Sequence, residues 1–254
     1  MMRKFASLAA GAVLAALAAM PASAQEAPKP PHQEWSWDGI FGTYDLASVQ
    51  RGFQVYSEVC ANCHSMHSLH YRDLGGIGLK PDEVKAIAAS VEVPQGLDDQ
   101  GNPKTGPGTP ASQFRSPFAN DIAARAANNG ALPPDLSLIV KARDGGADYV
   151  YSILNGFKEP PAGFKVSPGM HYNIAFPGHQ IAMPPPLSEG AVEYPDKTKA
   201  TVPQMAHDVA TFLAWAAEPT MEVRKRTGVK VILFLLVLTG MLYAVKRKVW
   251  ADVH

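Results

Sequence analysis

Cysteine is almost absent from this chain: there are two in 254 residues, and they stand three positions apart as Cys60 and Cys63. That scarcity excludes a disulfide-stapled scaffold and a zinc site built on two cysteine pairs. No segment recurs at a fixed period, which excludes solenoids and propellers. Neither sign of charge is in excess, with 23 Lys and Arg against 23 Asp and Glu. Long apolar runs are also few; there are two, one near each end.

The first run, Leu8 to Ala19, follows Arg3 and Lys4 and closes on Ala22-Ser23-Ala24. Basic, apolar and small residues in that order make a secretory signal peptide, so cleavage after Ala24 and export of the remainder are expected. The second run, from about Val229 to Val245, carries no charge after Lys230, has Tyr243 and Trp250 near its far end, and is followed by Lys246-Arg247-Lys248. It predicts a transmembrane helix, short for a ~20-residue span and completed by snorkelling of Lys230. Basic residues flank both ends, so the leader sets the orientation. The expected organisation is a signal peptide over 1–24, a periplasmic domain over 25–222, an anchor with basic flanks over 223–248, and a cytoplasmic tail over 249–254. The protein is thus expected in the cell inner membrane, single-pass, with its body on the periplasmic side.

The balanced total hides an asymmetry. Arg224, Lys225, Arg226, Lys230, Lys246, Arg247 and Lys248 crowd around the second apolar run, and Gln25 to Val223 holds 14 basic against 22 acidic residues, a net of −8. An acidic body disfavours nucleic acid and suits a basic partner. Acidity of this size also serves solubility.

Periodicity predicts helices over Ala47–Val59, where Val49, Phe53, Val55 and Tyr56 share a stripe and Gly52 allows close approach, and after Pro81, with Val84, Ile87 and Ala88 at helical spacing. Val93 to Pro117 is dense in Gly, Pro, Asp, Thr and Ser and predicts a loop. Helices are expected over Asn120–Asn128, Asp135–Ala142, Ala147–Leu154 and Pro203–Ala217. Between the last two lies a Pro- and Gly-rich segment, Asn155 to Pro203, of a length that points to a functional loop such as one wrapping a cofactor.

The chemistry concentrates in Cys60-Ala61-Asn62-Cys63-His64. Two thiols one helical turn apart reach the two vinyl groups of a haem, and the adjacent histidine meets the iron; this is the c-type attachment pattern. A plain disulfide explains neither His64 nor the export signal, and half a zinc site lacks its other half. One haem c per chain, held by two thioethers, is therefore expected, with His64 as an iron ligand. The sixth iron position is open to several residues. Met183 is the leading candidate, because Pro184-Pro185-Pro186 fixes the backbone beside it. Met170, His171, His179 and Met205 compete, although Met205 also fits the apolar face of its helix. Arg143, before Gly145-Gly146, is a candidate partner for a haem propionate, and Tyr149, Asn128 and Trp215 are candidate neighbours that serve equally well as packing or surface residues.

CANCHSM, then AARAANNGALPPDLSLIVKARDGGADYVYSILNGF, then HYNIAFPGHQIAMPPPL, then a single C-terminal apolar helix together resemble the cytochrome c1 family of the cytochrome bc1 complex. The resemblance runs in order over nearly the whole exported chain. It implies a mainly α cytochrome c fold enlarged by loops and insertions plus one transmembrane helix, with His64 and Met183 as axial ligands. It also implies Arg143 against a propionate, and Tyr149 and Asn128 in the haem pocket. The implied partners are cytochrome b and a Rieske iron–sulfur protein, with a soluble basic c-type cytochrome as acceptor. The implied activity is that of the electron-transfer subunit of a ubiquinol:cytochrome c oxidoreductase, without a substrate site of its own. Some bacterial relatives brace the methionine-side loop with an additional cysteine pair; this chain has none, so packing must hold Met183. Two other readings stay open on the residues alone, a free-standing membrane-tethered electron shuttle and a haem enzyme or gas sensor with an open iron site.

Overall fold

The computed structural model describes residues 28–252, and the signal-peptide expectation over 1–24 lies outside them. Seven α-helices occur among the described residues: α1 (Leu46–Glu58), α2 (Pro81–Ala89), α3 (Asp121–Ala127), α4 (Ile139–Ala142), α5 (Gly146–Asn155), α6 (Val202–Ala217) and α7 (Met221–Val249). Two small antiparallel sheets accompany them, β1 (Glu92–Leu97) with β2 (Pro103–Pro107) and β3 (His171–Tyr172) with β4 (Gln180–Ile181). The chain is mainly α, as expected.

Helix α1 starts where Asp45 accepts a hydrogen bond from the Ala47 amide at 3.0 Å, which satisfies one of the free N–H groups of the first turn. Its buried face, Val49, Gly52, Val55 and Tyr56, lies against α6. A β-carbon on Gly52 would stand 2.0 Å from the Asp208 carbonyl oxygen, so the two helices meet backbone to backbone there and only glycine fits. Asp208, fully buried, accepts from Ser48 Oγ at 2.7 Å, Arg51 Nε at 3.0 Å and Gln204 Nε2 at 3.1 Å. A charge taken out of water needs this degree of pairing. Arg51 also reaches Asp196 at 2.9 Å, which ties the segment before α6 to the same pair of helices.

The core sits between α1, α5 and α6, with Phe212, Met205, Val209, Val49 and Val55 at its centre. Met205 is fully buried there, on the face of α6 where it packs with Phe212 and Val209 in the core. Tyr56, Phe114, Tyr71, Phe53 and Phe212 continue the core as a chain of aromatic contacts at centroid separations of 4.8 to 6.0 Å.

Three sequence expectations change. The segment Val93–Pro117 is not all loop, because β1 and β2 form a hairpin with Val93 opposite Gly106. Its turn is closed by Asp98, which accepts from the amides of Gln100 and Asn102 at 2.9 and 2.8 Å. Only Val93 in β1 is buried, so the strand carries no apolar alternation to read. The helix expected over Asp135–Ala142 shrinks to α4, because Asp135 instead accepts from Ser65 Oγ, the His67 amide and the Ser137 amide, which holds the backbone out of helix until Leu138. Helix α7 extends beyond the uncharged run at both ends, from Met221 to Val249. It is the one helix among the described residues long and apolar enough to cross a membrane.

Candidate haem site

Beyond Glu58 the chain tightens into a 3-10 turn, Cys60–Asn62, with the amides of Cys63 and His64 both bonded to the Cys60 carbonyl at 3.1 and 2.9 Å. One turn thus carries both thiols and the imidazole. Neither cysteine is in a disulfide; Cys63 is exposed and Cys60 half-buried. Desolvation pushes the Cys60 thiol up to about 12, so it stays protonated at neutral pH. Cys63 opens onto a cleft of about 620 Å³ shared with Ser65, Phe114, Leu132 and Pro133.

The His64 ring is placed by one hydrogen bond, Nδ1 to the Pro134 carbonyl oxygen at 2.8 Å. A carbonyl only accepts, so Nδ1 carries the proton and the Nε2 lone pair is left for a metal. Burial also lowers the His64 pKa, which keeps the ring neutral. Pro134 is held in turn by its neighbour Asp135, whose three donors come from the segment just after His64 and from Ser137. His67 adds Nδ1 to the same carboxylate at 2.8 Å and Nε2 to Ser116 Oγ at 2.9 Å.

Met183 is half-buried and lies between two fixed points. On one side β4 pairs with β3, Ile181 opposite His171; on the other, Leu187 is buried in the core. The hairpin is pinned to the end of α5 by Asn173, fully buried, whose Nδ2 donates to the Ile153 carbonyl at 2.8 Å and whose Oδ1 accepts from the Ala175 amide at 3.0 Å. A β-carbon on Gly156 would lie 2.4 Å from that Oδ1, so the loop and the helix end are in direct contact. Met170 and His171 line a second cleft of about 770 Å³ with Phe157, Tyr172 and Leu187. His179 has positive φ and a buried Nδ1 without a hydrogen-bond partner, which keeps it in play as the alternative to Met183.

The remaining candidates are less tightly placed. Asn128 ends α3 and donates Nδ2 to the Ala124 carbonyl at 2.7 Å. Arg143 is exposed, with Nη1 on the Ala142 carbonyl at 3.0 Å. Tyr149 is half-buried on α5 beside the core, and Trp215 is buried within it. Residue-by-residue reading missed Pro134, Asp135 and Asn173. An Asp two residues before a Ser and directly after Pro-Pro is a turn signal that marks Asp135, whereas a buried Asn in an aperiodic loop leaves none.

The model of the Cytochrome C1 family matches residues 35–253. The chain belongs to that family. It is 49% identical to cytochrome c1 of Rhodospirillum rubrum over 98% of this chain and 97% of that protein. It is 48% identical to the cytochrome b-c1 complex catalytic subunit, mitochondrial, of Candida albicans over 88% of this chain and 78% of that protein. It is 46% identical to cytochrome b/c1 of Bradyrhizobium diazoefficiens over 89% of this chain, a match that takes up 36% of that longer protein.

The donor set suits the haem that this family's name implies. Two unbonded thiols share a turn with a neutral imidazole whose Nε2 is free, and apolar surface lies uncovered beside them. Leu132, which lines the cleft with Cys63, is 37% exposed. A bare leucine beside metal-binding groups is what an apolar macrocycle would cover.

Proposed function

We propose that this chain is the haem-carrying electron-transfer subunit of a membrane ubiquinol:cytochrome c oxidoreductase of the cytochrome bc1 type. The observation that carries the reading is His64, fixed through Nδ1 on Pro134 beside Cys60 and Cys63 in a chain of the cytochrome c1 family. Cys60 and Cys63 hold one haem c covalently as thioethers, and His64 and Met183 are its axial ligands. Arg143 meets a propionate, and Asn128 and Tyr149 complete the pocket. Haem bound there supplies a one-electron iron couple. The protein's own part is to hold the His64 tautomer, to hold the Met183 loop by packing, and to keep the proximal side dry.

The donor of electrons is a Rieske iron–sulfur protein and the acceptor a soluble basic c-type cytochrome. Cytochrome b is the membrane partner, a reading supported by the Bradyrhizobium relative, which is a cytochrome b/c1. Residues 25–222 form the periplasmic cytochrome c domain, 223–248 the anchor in the cell inner membrane and 249–254 the cytoplasmic tail. A free-standing shuttle is disfavoured by the junction of domain and anchor. Only Glu218, Pro219 and Thr220 separate α6 from α7, and Glu218 bonds both Lys141 of α4 and Arg224 of α7. A tether that short and cross-linked gives the domain no reach.

Detergent extraction followed by affinity capture of this chain tests the proposal. Retention of b-type haem and an iron–sulfur protein in quinol-oxidising fractions is expected; isolation of the chain alone under mild detergent would refute it.

A further inference from the structure

Outside α7, one pair of adjacent large apolar residues stands well clear of the protein among the described residues. Ile40 and Phe41 are 68% and 78% exposed. They occupy the tip of a tight loop, Trp37 to Gly42, between the Asp38 amide's bond to the Trp35 carbonyl at 3.0 Å and the Thr43 amide's bond to the Ser36 carbonyl at 3.1 Å. Loops facing water carry polar tips as a rule, and this one does not.

The loop is built from the membrane helix. Lys225, in the second turn of α7, donates its ammonium to the carbonyl oxygens of Trp37, Gly39 and Gly42 at 2.5, 2.7 and 3.1 Å. Three carbonyls turned inward on one cation leave the side chains of Ile40 and Phe41 turned out. Gly39 has φ of +69°, and a β-carbon on Gly42 would lie 2.1 Å from the Asp38 carbonyl oxygen, so the ring of carbonyls closes only with glycine there. Just beyond the loop, the Tyr44 amide donates to Glu222 Oε1 at 3.0 Å, a second bond to the first turn of α7. Both ends of the loop therefore move with the anchor.

Its height along the anchor follows from helix geometry. The uncharged run Val231–Val245 has 15 residues, about 22 Å at 1.5 Å per residue. That is short of the ~30 Å hydrocarbon core, so the charged turns on either side are drawn toward it. Lys225, six residues above Val231, stands about 9 Å from the end of the run; with the shortfall of about 8 Å shared between the two sides, it lies about 5 Å outside the core, within the headgroup layer of roughly 5–7 Å on each side.

We propose that the Trp37–Gly42 loop is a second membrane contact, in which Ile40 and Phe41 insert into the lipid interface on the haem-domain side and fix the tilt of the domain over the bilayer. The proposal rests on the reading of α7 as the transmembrane anchor. Lipid is favoured over a protein partner because the loop is bonded to the anchor at headgroup height.

The test uses the full-length holoprotein in phospholipid nanodiscs, with a nitroxide on Phe41→Cys, Leu97→Cys at the exposed β1–β2 hairpin, or Leu236→Cys in mid-anchor. With both native thiols in thioethers, each variant has one free cysteine. The ratio of collision with oxygen to collision with a water-soluble nickel chelate reports depth. At Phe41→Cys it is expected at least threefold above Leu97→Cys and below Leu236→Cys. A ratio equal to that at Leu97→Cys overturns the proposal, and so does shielding from both reagents, which would mean that another polypeptide covers the tip. A water-like ratio at Leu236→Cys would refute the anchor reading itself.

Discussion

His64 donates its Nδ1 proton to the Pro134 carbonyl at 2.8 Å, and the peptide that presents this oxygen is held by Asp135 next door. Charge-assisted hydrogen bonds of this kind contribute about 1–3 kcal/mol each where water is excluded, and less at a carboxylate that keeps some exposure. Asp135→Ala is therefore expected to lower folding stability by about 1–3 kcal/mol. It is also expected to leave the proximal ring less fixed. Thermal unfolding followed at the haem absorption, beside the wild-type protein, measures both.

Attachment is tested directly. Replacing Cys60 and Cys63 together with alanine is expected to abolish haem staining on a denaturing gel while leaving the polypeptide exported. Staining that survived in the double variant would mean that the haem, if present, is not held by thioethers.

The identity of the sixth ligand predicts a change in potential. A thioether favours ferrous over ferric iron, so Met183→Leu is expected to keep the haem attached and to lower its midpoint potential by more than about 59 mV, a tenfold shift in the one-electron equilibrium. Redox titration of the purified variant reads this. An unchanged potential would transfer the ligand role to His179, Met170 or His171.

What was legible in the sequence, and what was not, divides along physical lines. Helices α1, α2 and α5 announce themselves because each buries one face, α6 is marked by its apolar residues between Pro203 and Pro219 although it is buried nearly all round, and Gly52 stands out because a glycine in an apolar stripe has few uses other than close approach. The attachment motif is local, so its spacing suffices. The β1–β2 hairpin is held by turn chemistry at Asp98 with one buried side chain, which leaves no alternation to detect. Asn173 and Asp135 act through bonds to residues far away in the chain or to the main chain, and no period encodes such partners. Nothing in the sequence around Ile40 and Phe41 marks their exposure, because the residue that fastens their loop, Lys225, lies more than 180 positions later.

A half-buried histidine predicts how stability varies with pH. His207 stacks on Trp35 at a centroid distance of 4.9 Å, and desolvation lowers its pKa below 6.5, with Arg51 adding to the effect while Asp208 and Asp45 oppose it. Since the unfolded chain takes up this proton more readily than the folded one, the contribution is present above pH 6.5 and is lost as pH falls through the folded value. His207→Phe keeps the stacking and removes the titration. The wild-type melting temperature is expected to drop more than that of the variant between pH 7 and pH 5.

The last prediction concerns the encounter with the acceptor, and it rests on the net −8 of Gln25 to Val223 that the full-chain total conceals. Charge of one sign on a docking body acts mainly on encounter, steering a basic partner in and raising the association rate more than the final affinity. Mobile ions weaken such steering over a Debye length of about 10 Å at 0.1 M salt. Oxidation of this subunit by a soluble basic cytochrome c is therefore expected to slow steeply as salt rises. Its reduction by the iron–sulfur protein of the proposed complex would need no diffusional encounter, so that rate is expected to change little. Stopped-flow rates of both steps across a salt series separate the two cases. An acceptor rate that stays flat would assign the acidic surface to solubility and the docking contact to apolar residues.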